Sequence, residues 1–274
     1  MAETTHLRDI QSEDVYRYNT RTGRTKLISF DSPGRVVDWV IDHNLEPRVA
    51  MRLEPREAAD KASFDREIWQ RTADELGLPA LLVPEEYGGA GASYVELVAV
   101  MEELGHALAP LPYFTTAALA LPALLLGGDE AQKQRWLPGL AEGRTLATLA
   151  SPALHPGRAV GEVRALRTAN GFLVEGRSLH VPDGHLADLF VVGARCEGAS
   201  LLLLVPAETP GVTRRARPTM DRTRGAAAVE FSGVELPHDA ALASGDDAST
   251  LLARTLDRAA VALAAEQVGG AARC

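Results

Sequence analysis

The sequence predicts an α+β protein of three parts: an N-terminal helical domain, a middle β-domain and the start of a further helical domain. Three observations carry that expectation. Between residues 36 and 143 apolar side chains recur at helical spacing behind capping residues. Between 160 and 236 short β-rich runs alternate with turn residues. From Ser249 the helical spacing returns. Strands and helices do not alternate as βαβ units, which argues against a doubly wound parallel sheet.

The expected boundaries are an extension over 1–35, the helical domain over 36–143, the β-domain over 144–246 and a single helix over 247–274. The extension is polar and patternless, ending in Asp31-Ser32-Pro33-Gly34. Ser63 can cap a helix with the stripe Trp69, Ala73 and Leu76, and Gly77 stands where a left-handed C-cap belongs. Ser93 and Glu96 form a capping box ahead of Leu97, Met101 and Leu104, with Gly105 read as the stop. Asp129 and Gln132 repeat that arrangement ahead of Trp136 and Leu140. Candidate strands cover 160–166, 172–175, 186–194, 201–205 and 226–236. Turns are expected at Asn170-Gly171, Asp183-Gly184 and Pro210-Gly211. Short strands at this spacing suggest a small barrel or a sandwich. In the last helix Leu252, Leu256, Ala259 and Leu263 share a face. With no helical partner following, that face is expected to be exposed and to favour association.

A chain of 274 residues corresponds to about two domains at roughly 150 residues each. It is 46% hydrophobic and 24% charged, which excludes wholesale disorder. Its formal net charge of −9 disfavours nucleic-acid binding and a basic membrane surface. Membrane insertion needs about 20 consecutive apolar residues, and the best run, 117–126, is short and holds Pro122. Residues 1–9 lack the apolar core of a secretory signal. Cys196 and Cys274 make neither a disulfide framework nor a zinc spacing. Together these point to the cytoplasm.

The residues alone name no reaction. Gly88-Gly89-Ala90-Gly91 has Tyr94 where a dinucleotide fingerprint needs glycine, and reads as a structural turn. Seven histidines are scattered without metal-ligand spacing, so no metal site is expected. No GxSxG elbow is present. Arg214, Arg215, Arg217, Arg222 and Arg224 crowd one segment. A solvated strand face explains them, and an anion site for phosphate or pyrophosphate is the functional alternative.

A resemblance adds what the pattern lacks. Glu75-Leu76-Gly77, Val83-Pro84-Glu85-Glu86-Tyr87-Gly88-Gly89-Ala90-Gly91, and Val100-Met101-Glu102-Glu103-Leu104-Gly105 resemble segments of the acyl-CoA dehydrogenase family. So do Gly176-Arg177-Ser178-Leu179-His180-Val181-Pro182-Asp183-Gly184, Ala187-Asp188-Leu189-Phe190-Val191-Val192, Val205-Pro206-Ala207, Thr209-Pro210-Gly211-Val212 and Phe231-Ser232-Gly233-Val234-Glu235-Leu236-Pro237. They come in the family's order and cover about residues 50–274. The resemblance implies a helical domain, an antiparallel β-barrel and a four-helix domain. It implies FAD as cofactor, an acyl-CoA thioester as substrate and an electron-transfer partner. It further implies a homo-oligomer, or a hetero-oligomer with a related subunit.

In that family a glutamate removes the α-proton while the β-hydrogen passes as hydride to the flavin. The resemblance implies that Leu149, Ala150, Ser151, His180, Pro182 and Arg222 contact the cofactor, with Arg222 or its neighbours on a FAD or CoA phosphate. The departures are pronounced. Ala150-Ser151-Pro152 replaces the family's T-E-P, and Pro156-Gly157-Arg158 replaces G-S-D. His180 stands for the tryptophan that packs on the flavin. Pro182 stands for the threonine that hydrogen-bonds it, and proline has no N–H. No catalytic base is assigned. Most members carry it beyond the position of Cys274, and a minority at the position of Ala259. Asp257 is turned ~200° away on a helix, and Glu266 lies about two turns on. Three readings follow: an acyl-CoA dehydrogenase subunit, a non-catalytic companion or truncated remnant, and a related flavin monooxygenase or acyl-CoA oxidase.

Overall fold

The computed structural model describes residues 64–157, 160–219, 221 and 223–273, together with the backbone of four N-terminal strands. Those strands are β1 (Tyr16–Asn19), β2 (Arg24–Leu27), β3 (Val36–Ile41) and β4 (Pro47–Arg52). They form two antiparallel hairpins, β1 with β2 and β3 with β4. Two expectations are corrected here. The 1–35 segment is not patternless throughout, and helix does not begin at 36. Val36, Val37, Val40 and Ile41 are β-branched residues that lose side-chain freedom in a helix and suit a pleated strand.

The described helices begin with α1 (Arg66–Leu76). Asp65 caps it, accepting from the N–H groups of Glu67 and Ile68, and Gly77 closes it in the left-handed conformation at φ 63°. Ser63, the expected cap, lies outside the described residues. Helix α2 (Tyr94–Ala107) carries the expected capping box of Ser93 and Glu96. It runs past Gly105 and ends at Leu108, φ 50°. A π-helical segment, Phe114–Ala120, continues into α3 (Leu121–Gly127). Helix α4 (Glu130–Ala141) opens on the second expected box, Asp129 with Gln132.

The β-domain comprises β5 (Ala147–Ala150), β6 (Val163–Thr168), β7 (Gly171–Pro182), β8 (Leu189–Cys196), β9 (Ala199–Pro206), β10 (Val212–Arg217), β11 (Ala226–Pro237) and β12 (Ala241–Ser244). They form one sheet in the order β10-β11-β7-β6-β8-β9-β12, with β5 added on β8. The sheet is not wholly antiparallel as expected: both β5 and β6 pair parallel with β8. The β6–β7 hairpin lies between β5 and β8 in the chain and supplies the crossover that a parallel pair requires. Strand β10, with Arg214, Arg215 and Arg217, is the sheet edge, where charge discourages strand addition.

Two cores meet at the central strands. Phe190, Val192, Leu201, Leu203 and Val205 face the inner core with Val174, Val229 and Phe231. Leu189, Val191, Leu202 and Leu204 face the helices, against Leu121, Leu124, Leu137 and Leu140. A strand alternates sides at every residue, so strands buried on both faces read as continuous apolar runs.

Helix α5 (Gly245–Arg273) packs on both α2 and the π-helical segment. Its buried stripe is Ala248, Leu251, Thr255, Ala259, Ala262, Ala265 and Gly269. The expected stripe is off by about one position, and Leu252, Leu256 and Leu263 are half-buried rather than bare. Small residues win the buried face because the neighbouring helices approach closely. Among the described residues, no helix is long and apolar enough to cross a membrane.

Candidate functional site

Five of the six expected cofactor residues, Leu149, Ala150, Ser151, His180 and Pro182, lie where β5 ends beside the end of β7. The Thr148 hydroxyl on β5 donates to the Pro182 carbonyl at 2.7 Å, tying the two strands together. Leu149 and Ala150 are fully buried, Leu149 toward the helices and Ala150 in the inner core. Ser151 is buried too, and its hydroxyl accepts from the Ala153 N–H at 3.3 Å. It lies beneath Gly193, where a Cβ would press on the Ser151 side chain. The His155 ring stands edge-on to that of His180, centroids 4.7 Å apart. His155 Nε2 is 3.0 Å from the His180 carbonyl. A carbonyl only accepts, so Nε2 carries the proton in that contact. Arg222 lies outside the described residues.

The donor set does not fit the side-chain grip that flavin would need here. Ala150 has no hydroxyl and is enclosed. The Thr148 proton goes to Pro182, Ser151 is buried beneath Gly193, and Pro182 has no N–H. Main-chain groups at the strand ends and the exposed His180 ring are what this edge presents.

A second polar cluster lies next to it, and sequence reasoning missed it as a group. Asp183, φ 48°, follows Pro182 directly. Its carboxylate accepts from Thr115 Oγ1 at 3.1 Å and from the Gly225 N–H at 3.1 Å. Its own N–H donates to the Gly225 carbonyl at 2.9 Å. Burial pushes its carboxyl up to about 6, while the Thr115 hydrogen bond, Arg224 and the Gly225 N–H oppose the rise. Arg224 pairs with Glu266 of α5, and its guanidinium carbon stands 4.4 Å from the Phe114 ring centroid. Burial lowers His185, and the charge of Arg214 adds to that. The cluster thus joins the end of β7, the π-helical segment, the loop before β11 and α5. Arg224 was visible in the arginine-rich segment and Asp183 in a turn, but nothing in the sequence linked them to Thr115.

On α5, Ala259 is buried against the helices and offers no proton acceptor. Glu266 is engaged by Arg224, and Asp257 is exposed. The glycine turn behaves as expected of a structural element. Ala90, Gly91 and Ala92 donate to the carbonyls of Ala80, Val83 and Leu81, and a Cβ on Gly89 would overlap Val83. The described residues contain no cluster of three or more groups able to hold a metal ion.

Comparison with known proteins agrees with this architecture. Residues 42–144 match the family model described as acyl-CoA dehydrogenase, N-terminal domain. Acyl-CoA dehydrogenase FadE27 of Mycobacterium tuberculosis is 34% identical over 179 residues, which is 65% of this chain and 46% of that protein. The chain spans about half the length of the curated relatives it matches. Among solved structures, the ChsE4-ChsE5 complex from Mycobacterium tuberculosis superposes with a TM-score of 0.69 at 29% identity, covering 79% of this chain and 57% of that one. An acyl-CoA dehydrogenase complexed with FAD from Bacillus anthracis superposes at 0.68 and 23% identity, over 76% of this chain and 37% of that one. The last likeness concerns the fold.

Proposed function

Because this chain belongs to the acyl-CoA dehydrogenase family, we propose that it is a companion subunit of an FAD-dependent acyl-CoA dehydrogenase assembly. In this reading a related subunit supplies most of the side-chain grip on the flavin. The assembly dehydrogenates an acyl-CoA thioester between its α and β carbons and passes electrons to an electron-transfer partner in the cytoplasm. The observation that carries the reading is the composition of the β5–β7 edge. Ala150 and Pro182 give no side-chain donor there, and Ala259 gives no base on α5. The likeness to one chain of a complex of two different members, ChsE4 and ChsE5, supports the same reading.

The parts proposed for this role are the helical region to residue 143, the β-region over 144–246 and the helix from 247. Leu149, Ala150, Ser151 and Pro182 would meet the cofactor through their main chain, and His180 through its ring. Arg222 would pair with a FAD or CoA phosphate, a charge-assisted contact of the stronger kind. Proton abstraction needs a base within about 2.6–3.2 Å, and its loss lowers rates by ~10²–10⁴-fold.

The test is to purify the chain alone and together with a full-length family subunit from the same genome. Flavin absorbance per chain and acyl-CoA-dependent reduction of an electron acceptor are measured for each. The chain alone is expected to be nearly colourless and inactive, and the pair to be yellow and active. Stoichiometric flavin and robust turnover by the chain alone would refute the companion role.

A further inference from the structure

Strand β10 ends the sheet, and on its outer side no strand pairs with it among the described residues. It is a regular edge. Val212 to Arg217 all pair with β11 in unbroken register, without the shifts that interrupt β11 against β7. Thr213 to Arg217 are exposed. Natural sheets commonly blunt such an edge with a bulge, a proline or a covering element. Within β10 there is neither bulge nor proline, and its arginines are what guards it.

The side chains divide by the two-residue pleat. Val212 packs on the inner core, and Arg214 follows on that side, bonded to the Ala187 carbonyl and paired with Glu208. Thr213, Arg215 and Arg217 take the opposite face. Arg217 donates to the Leu179 carbonyl at 3.4 Å. Neither Arg215 nor Arg217 pairs with a carboxylate among the described residues. Two residues span about 6.6 Å along a strand, a spacing that suits two carboxylates on an adjoining strand better than one phosphate. A second copy of β10 would set arginine against arginine, and like charges across a strand pair are unfavourable. An acidic strand meets the opposite sign there, while the edge N–H and C=O groups supply the ladder.

We propose that β10 is a docking edge for an extended acidic segment of a partner protein, added as a further strand with carboxylates opposite Arg215 and Arg217. Main-chain pairing gives the affinity and the two arginines select the sign of the charge. The edge is independent of the companion role, since neither flavin nor base takes part.

The test uses the full chain and a fluorescein-labelled peptide alternating threonine and glutamate over the length of β10, read by fluorescence anisotropy at low ionic strength. Threonine is chosen because its branched side chain favours the extended state. The peptide is expected to bind, and the same peptide with lysine for glutamate to bind at least ~10-fold more weakly. N-methylation of every peptide amide, which keeps the charges and removes the ladder donors, should cost a similar factor. Arg215→Glu with Arg217→Glu, both at exposed positions, should reverse the preference toward the lysine peptide while leaving the melting temperature nearly unchanged. Absence of binding at millimolar peptide would overturn the assignment. So would undiminished binding after N-methylation, which is a contact through charge alone, or an unreversed preference in the double variant.

Discussion

Gly105 of α2 and Gly269 of α5 face each other's helices at a single crossing. A Cβ on Gly105 would overlap the Glu266 carbonyl, and a Cβ on Gly269 would overlap the Glu102 carbonyl. The two helices touch through backbone, which is why α5 buries its alanines and glycines there and turns its leucines aside. Gly105 also resolves a sequence-level misreading: a glycine near the end of a helical pattern looks like a stop, yet this one permits a close approach.

Adding a methyl at that crossing should therefore destabilise the fold. Gly105→Ala and Gly269→Ala are each expected to cost about 1–3 kcal/mol through overpacking. Gly270→Ala is the control, since its Cβ would meet nothing nearer than 3.6 Å. There the gain in helix propensity should stabilise by about 0.5–1 kcal/mol. Thermal melts should show opposite signs at the two adjacent glycines.

Asp183 should give the stability a pH dependence. Its folded carboxyl titrates at about 6, against 3.8 in the unfolded chain. The folded state therefore holds more protons between those values, and stability falls as pH rises from about 4 to about 6, then levels off. The size is on the order of 3 kcal/mol for a shift of this extent. Asp183→Asn should flatten that slope and raise stability at pH 7.5. The amide can donate to Thr115 Oγ1, which in turn donates to the Pro112 carbonyl at 3.0 Å. Denaturant titrations at pH 4.5 and 7.5 check it, and an unchanged slope in the variant would assign the effect elsewhere.

Gln132 ties the helices to the β-domain. Its amide donates to the carbonyls of Asp239 at 2.8 Å and Ala241 at 3.0 Å, while its oxygen accepts from the Asp129 N–H. Gln132→Glu keeps the acceptor, deletes both donors and aims a charge at two carbonyls. A loss of about 2–4 kcal/mol is expected near neutral pH. It should shrink in acid, where the protonated carboxyl donates again.

Two back-substitutions at the β5–β7 edge should behave differently. Pro182→Thr returns an N–H and a hydroxyl at a half-buried strand end, and should raise flavin retention in the co-purified pair. Ala150→Thr places extra atoms in a fully buried position and should lower the melting temperature, by about 1–3 kcal/mol of overpacking. If both variants melt alike and retain flavin alike, the placement of Ala150 inside the inner core is wrong.

Much of the fold was legible because its signals are local. The boxes at Ser93 with Glu96 and Asp129 with Gln132 each span three residues. The left-handed Gly77 ends α1 as its position suggested. Strand candidates fell near β6, β7, β8, β9 and β11, and the one at β7 ran short because that strand continues through Ser178 to Pro182 beyond the apolar run. The cofactor residues came from the ordered resemblance, and their neighbourhood at β5 and β7 could not be read from spacing.

By itself the sequence determined the order of helices, sheet and helix, and the capped starts of α2 and α4. Both are properties of a short window: capping chemistry, the 3.6-residue turn and the two-residue pleat. Only the tertiary structure decided that β5 and β6 run parallel to β8, which face of α5 is buried, and that Thr115, Asp183, Arg224 and Glu266 form one cluster. Thr115 and Asp183 are 68 residues apart, and Gln132 reaches Ala241 across 109. No local periodicity encodes such pairs. They are fixed by where the chain can bury its apolar faces while still giving each buried carbonyl and carboxylate a donor.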